Sequence, residues 1–210
     1  MDKKFELTTD TKIHFGRKLF RIKALKSFGS VKAGDLGGYI ENENNLSQDG
    51  TAWVSDDAKV YDTARVYGDA SVYNNAEIYG NANVYDDANV FGKAKVGDQA
   101  NIKECAWVSD DAKVYGDAWV YGNAWVYNSA KIYGSAEVFD YAMVFGKAKV
   151  YDRAKVYGDA TAFGNAKIHD NARIYDTSEV SGNTSVCGKS RICGDTVIYD
   201  NALRGGDGNG

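Results

Sequence analysis

Few side chains in this 210-residue chain are suited to chemistry, and their types narrow the options quickly. Two histidines, His14 and His169, could act as general bases or metal ligands. A three-histidine zinc centre needs one imidazole more than the chain contains. Three cysteines, Cys105, Cys187 and Cys193, are odd in number and lack zinc-ligand spacing. Aspartates come in adjacent pairs, Asp56-Asp57, Asp86-Asp87 and Asp110-Asp111, offering oxygen donors of the kind calcium takes. There is no phosphate-cradling loop and no nucleophile elbow, and Gly37-Gly38 reads as a tight turn.

What must position these groups is a repeat. From Ala52 to Ala172 every sixth residue is alanine, and Ser178, Thr184, Ser190, Thr196 and Ala202 continue the same small position. Two places after each small residue, from Val54 to Ile198, stands Val or Ile, with Ala162 the one exception. A six-residue period this regular predicts a β-solenoid. Each position of the unit has its own physical job. Side chains alternate faces along a strand, so the aliphatic residue points inward and its two neighbours point outward. The residue after the aliphatic is Tyr or Phe at seventeen of twenty-five places. The next is Gly, Asp or Asn in every unit but the one holding Glu104, and these residues tolerate left-handed backbone angles. The chain is therefore expected to bend once per unit, with alanine small enough for the inner corner.

The number of units per coil follows from a duplication. Ala52 to Tyr61 reads AWVSDDAKVY, and Ala106 to Tyr115 repeats it at an offset of nine units. Three units, 18 residues, fit that offset as a triangular coil. Outward residues taken at this spacing sort by chemistry. One face carries Lys59, Glu77, Lys95, Lys113, Lys131, Lys149 and Lys167; another carries Trp53, Ser71, Asn89, Trp107, Trp125, Met143 and Thr161. At eighteen residues only Asp86 with Glu104, and Asp152 with Asp170, stack acid on acid at the turn position, and turn chemistry accounts for aspartate there without an ion. No metal and no cofactor are expected. Cys187 and Cys193, one unit apart, should lie on different faces, out of disulfide reach.

Residues 47–202 thus form an all-β, triangular parallel solenoid of about 8–9 coils, about 40 Å long at ~4.8 Å per coil. Residues 1–46 are expected to supply an N-terminal β-hairpin cap, with Phe5, Ile13, Phe15, Leu19, Phe20, Ile22, Leu25 and Phe28 around a turn near Gly16-Arg17. Residues 203–210 read as a flexible Gly-rich tail. Proline is absent, as suits a chain that is nearly all ladder. The net charge is −4, but residues 1–32 hold nine Lys and Arg against three acids. The opening MDKKFELTTDTK is polar and no long apolar run follows, so a cytoplasmic location without membrane contact is expected.

The unit, an aliphatic with a small residue four places later over three-unit coils, resembles the hexapeptide-repeat left-handed parallel β-helix. The segment Val31-Lys32-Ala33-Gly34, Gly37-Gly38-Tyr39, Leu46-Ser47-Gln48, Gly50, Trp53 and Val54 is similar to the leading segment of YdcK-like β-solenoid proteins, which include short tyrosine-rich forms in phage and prophage genomes. The resemblance implies left-handed coiling and a tentative transferase label. Acyltransferases of the wider fold use a histidine base and a loop extruded from a coil. Here the register runs unbroken from Ala52 to Ala202, and His169 most simply replaces a tyrosine.

The expected function is accordingly non-catalytic: a rigid binding or scaffolding protein, with inhibition of a host defence protein as one concrete form. The alternatives are an acyltransferase-like enzyme and a self-assembling structural protein. Trp107, Trp125, Tyr127, Met143, Phe145 and Phe163 form an apolar strip on one face and are the expected protein-binding residues. Lys113, Lys131 and Lys149 offer a second surface, for an acidic protein; nucleic acid is not expected. The last coil, lacking a cap, is expected to pair tail-to-tail with a second copy.

Overall fold

The computed structural model describes residues 3–200 and 202–205. The chain winds into a parallel β-solenoid of about nine turns with ~18 residues per coil. Each coil contributes one short rung to each of three sheets, of twelve, nine and eight strands. The register is the one that the 18-residue period dictates: Lys95 pairs with Lys113, Trp107 with Trp125, and Asn101 with Trp119. Every inward Val and Ile from Val54 to Val186 is buried, as is each alanine from Ala52 to Ala172. Burying one such Val contributes about 1.5–3 kcal/mol, so stability accrues coil by coil.

The bend is made where the sequence places it. All twenty-five residues at the turn position, Asp56 to Asp200, have positive φ, Glu104 among them at 57°. Aspartate does more there than tolerate the angle. Asp62 Oδ2 accepts the backbone N–H of Gly80 at 3.1 Å, Asp98 Oδ2 that of Gly116 at 2.9 Å, and Asp140 Oδ2 that of Gly158 at 3.2 Å. These corner N–H groups donate to the carboxylate of the preceding coil rather than to a backbone carbonyl. The acid thereby satisfies a donor that would otherwise rely on water alone. Even Glu104 does this, accepting from Gly122 N–H at 3.0 Å.

The cap is a β-hairpin of β1 (Phe5–His14) and β2 (Arg17–Ala24), followed by β3 (Leu36–Ile40). Phe15 and Gly16 form its turn, with φ of 49° and 78°. β2 pairs antiparallel with β3, and β3 pairs parallel with the rung Lys59–Val60, so the hairpin extends the twelve-stranded sheet. Gly37-Gly38, expected as a tight turn, lies inside β3 and is buried; the left-handed residue is Gly34, with φ of 97°. Their job is close approach: a Cβ on Gly37 would stand 2.6 Å from the Val54 carbonyl and 2.7 Å from the Trp53 ring.

Along the ladder, N–H groups of one coil donate to carbonyls of the next, as Lys59 N does to Ala76 O, Tyr61 N to Ile78 O and Thr63 N to Gly80 O. Carbonyls of the first coil consequently face an end with no coil beneath, and the cap answers them with donors. Tyr39 and Glu41 N–H reach Ala58 and Val60 carbonyls. Asn45 Nδ2 donates to the carbonyls of Asp62 at 3.1 Å and Ala64 at 2.8 Å. Lys4, fully buried, donates through Nζ to those of Ala52, Asp49 and Gly50 at 3.0, 3.3 and 3.4 Å. Burial holds the Lys4 ammonium down to about 8, against the nearby Asp49 charge. At the other end, strand Ala202–Gly205 pairs with Ser185–Gly188, so Leu203, Arg204 and Gly205, expected in the flexible tail, lie in a strand instead. Residues 206–210 lie outside the described residues.

Candidate functional site

The face of the nine-stranded sheet brings the apolar strip together. Trp107, Trp125 and Met143 sit in register on successive rungs, 38%, 46% and 37% exposed. Tyr127, Phe145 and Phe163 follow along the adjoining corner, but only half-buried, not open. The reason is stacking: Tyr127–Phe145 and Phe145–Phe163 centroids lie 4.8 and 5.0 Å apart, nearly parallel. Each ring covers its neighbour's face, so the file presents edges to solvent. Trp107 and Trp125 stack likewise at 5.2 Å and 11°, while Phe91 meets Trp107 edge-on at 5.7 Å.

Both faces of Phe145, and one face each of Trp107, Trp125, Tyr127 and Phe163, are therefore already taken up by neighbouring rings. Binding that inserts a base or a sugar ring over an aromatic plane needs a free face, which these shared faces withhold. What they offer is a flat, rigid ridge of ring edges and thioether, a surface suited to another protein.

The lysine face holds Lys113, Lys131, Lys149 and Lys167 in direct register. Earlier in the file Lys95 binds Glu77 at 2.9 Å. Lys113, Lys131, Lys149 and Lys167 have no ion-pair partner among the described residues. Like charges directly opposite on a sheet destabilise it, so this column costs the fold stability.

A third exposed tryptophan, Trp119, lies outside the residues expected from sequence. Trp119 is 37% exposed on the eight-stranded sheet, in a hollow lined by Lys103, Tyr121 and Glu137. Lys103 lies over the Trp119 and Tyr121 rings and is paired with Glu104 at 2.7 Å. Tyr121 donates to Glu137 at 3.2 Å, and burial together with that carboxylate pushes its phenol pKa up. The signal that could have found it was the 18-residue file Asn83, Asn101, Trp119, Glu137.

His14 and His169 lie far apart. His14 sits at the hairpin tip with Nε2 3.6 Å from Glu77 Oε2, beside Tyr61. That tip folds across the side wall of the solenoid, burying Tyr61 together with Leu19 and Tyr39. His169 follows Lys167, five rungs further along the same face. It stacks on Tyr151 at 4.8 Å as its place in the repeat suggests, with Nδ1 3.4 Å from Asp170. Among the described residues Cys105, Cys187 and Cys193 form no disulfide. No helix among the described residues is long and apolar enough to cross a membrane. No protein-family model matches this chain, and no curated protein matches it.

Proposed function

We propose that this protein is a non-catalytic, rigid binding solenoid of the hexapeptide-repeat, YdcK-like kind, which occupies a protein partner through its tryptophan face. The single observation that supports this reading is the in-register ridge Trp107, Trp125, Met143, exposed on a flat sheet where the two indoles stack on one another. A rigid apolar ridge loses little conformational entropy on docking, which is how a flat surface gains affinity. A cytoplasmic, phage- or prophage-type protein that masks a host defence protein is one concrete form of this reading.

The test is a set of surface variants. Trp107→Ser, Trp125→Ser and Met143→Ser together remove the ridge and leave the Tyr127–Phe145–Phe163 stack intact. A partner recovered from the host with the unmodified protein should be lost with this variant and kept with Lys113→Gln, Lys131→Gln, Lys149→Gln. Retention by the triple serine variant refutes the assignment of the face. A second reading is tail-to-tail pairing, favoured by Val197 and Tyr199, both exposed on the last rung of the nine-stranded sheet. Val197→Ser with Tyr199→Ser should then lower the mass measured by light scattering.

A further inference from the structure

Trp119 keeps what the tryptophans of the ridge have given up, a ring plane with no ring against it. Its in-register neighbours, Asn101 and Glu137, carry no aromatic group, and no ring stacks on its indole among the described residues. The indole N–H likewise has no acceptor among them. The side chain is 37% exposed and lines a hollow of about 330 Å3 together with Lys103, Tyr121 and Glu137. An open ring plane bordered by a few hydrogen-bonding groups is the usual make-up of a small-ligand site.

The charges around the hollow select the kind of ligand. Lys103 pairs with Glu104 and Lys155 with Glu137, each at 2.7 Å, so both cations are already neutralised. Asp140 adds a further negative charge near Tyr121, and an anion is therefore repelled. A cation is excluded for a different reason. The Lys103 ammonium already holds the cation position, 6.0 Å from the Trp119 ring centre and 5.1 Å from that of Tyr121. What remains is a neutral molecule with an apolar face for the indole and polar groups for the rim. A sugar ring has both, C–H groups on its face and hydroxyls around its edge. Lys103 and Glu137 can serve those hydroxyls without breaking their ion pairs, because an ammonium has several donors and a carboxylate several acceptor positions. Asn101 and Asn83 continue the file beyond Trp119, their amides joined by a 3.2 Å hydrogen bond, and give a longer saccharide further polar contacts.

We propose that Trp119, with Lys103, Tyr121 and Glu137, forms a binding site for a neutral saccharide whose ring lies on the indole plane. The site is on the eight-stranded sheet and the Trp107 ridge on the nine-stranded one, so the two assignments stand or fall separately.

The test labels the full chain with fluorotryptophan and assigns the signals of its four tryptophans by replacing each with phenylalanine in turn. The probes are cellohexaose, maltohexaose and chitohexaose. At least one should move the Trp119 signal saturably while those of Trp107 and Trp125 stay in place. Trp119→Ala should weaken that sugar by about tenfold or more, the scale of one lost stacking contact, and Trp119→Tyr, which keeps a ring plane, should lose less. Both should keep the parent circular dichroism, since this side chain lies outside the core. Tetramethylammonium and digalacturonate, the cationic and anionic probes, should leave the signal unmoved. Silence with all three sugars, an equal shift with either charged probe, or unchanged affinity in Trp119→Ala overturns the proposal.

Discussion

If the corner aspartates both tolerate the left-handed angle and satisfy the next coil, substituting one should separate the two effects. Asp98, with φ of 55° and its Oδ2 2.9 Å from Gly116 N–H, is a corner in the middle of the solenoid. Asp98→Ala loses both contributions. A left-handed non-glycine residue costs about 1–2 kcal/mol, and a charge-assisted hydrogen bond, discounted for exposure, about 0.5–1 kcal/mol. The sum is roughly 2 kcal/mol, a fall in Tm of about 4–8 °C for a chain of this size. Asp98→Gly removes the angular penalty but keeps the lost bond and adds chain entropy in the unfolded state, about 1 kcal/mol. Asp98→Asn keeps the angle and an acceptor oxygen and should stay within about 0.5 kcal/mol of the parent. Thermal unfolding followed by circular dichroism gives the order. Alanine should be worst, glycine intermediate and asparagine mildest; glycine falling below alanine would refute the angular argument, and three equal variants would refute both.

Acidification should loosen the hairpin. Burial holds the His14 pKa below its ordinary 6.5, against the pull of Glu77 and with Lys59 and Lys95 nearby, so the unfolded chain takes up the proton first. The stabilisation is complete above pH 6.5 and is lost as pH falls through the lower folded value; hydrogen exchange of β2 amides should rise over that range and flatten in His14→Gln. Lys4→Met should destabilise the N-terminal end by roughly 2 kcal/mol, because the Ala52 carbonyl is left buried without a donor, and urea unfolding at pH 7 measures it. Its unmodified counterpart should gain stability between pH 8 and 10.5, where the unfolded chain still binds the proton that folded Lys4 has released. Lys113→Gln, Lys131→Gln, Lys149→Gln should raise Tm at low salt by relieving the column, by a few tenths of a kcal/mol per pair; an unchanged or lower Tm speaks against uncompensated repulsion.

Much of the fold was legible because a solenoid converts local sequence into global structure. Val66-Tyr67-Gly68-Asp69-Ala70 states in five residues which side chain enters the core, where the backbone turns left-handed and where the corner must be small. Exposed Trp107 and Trp125 could be placed on one face by counting eighteens. Their stacked geometry could not, since periodicity places a ring in a file but does not tell whether its plane is free. Trp119 is readable by the same count, but its neighbours in the file, Asn83, Asn101 and Glu137, are polar, so no apolar strip marks it.

Composition and spacing alone determined the coil: a six-residue unit, three units to a turn, an inward ladder of Val, Ile and Ala, and left-handed corners at Gly, Asp and Asn. These follow from backbone sterics and burial repeated at every turn, and need no knowledge of what lies across the molecule. Tertiary structure decided what the repeat does not encode. It sent Lys4 and Asn45 to the orphan carbonyls of the first coil, laid the hairpin against Tyr61, and set Lys103 and Glu137 about Trp119. Each of those depends on unique residues meeting across coils, where hydrogen-bond satisfaction at an end or a corner selects the partner.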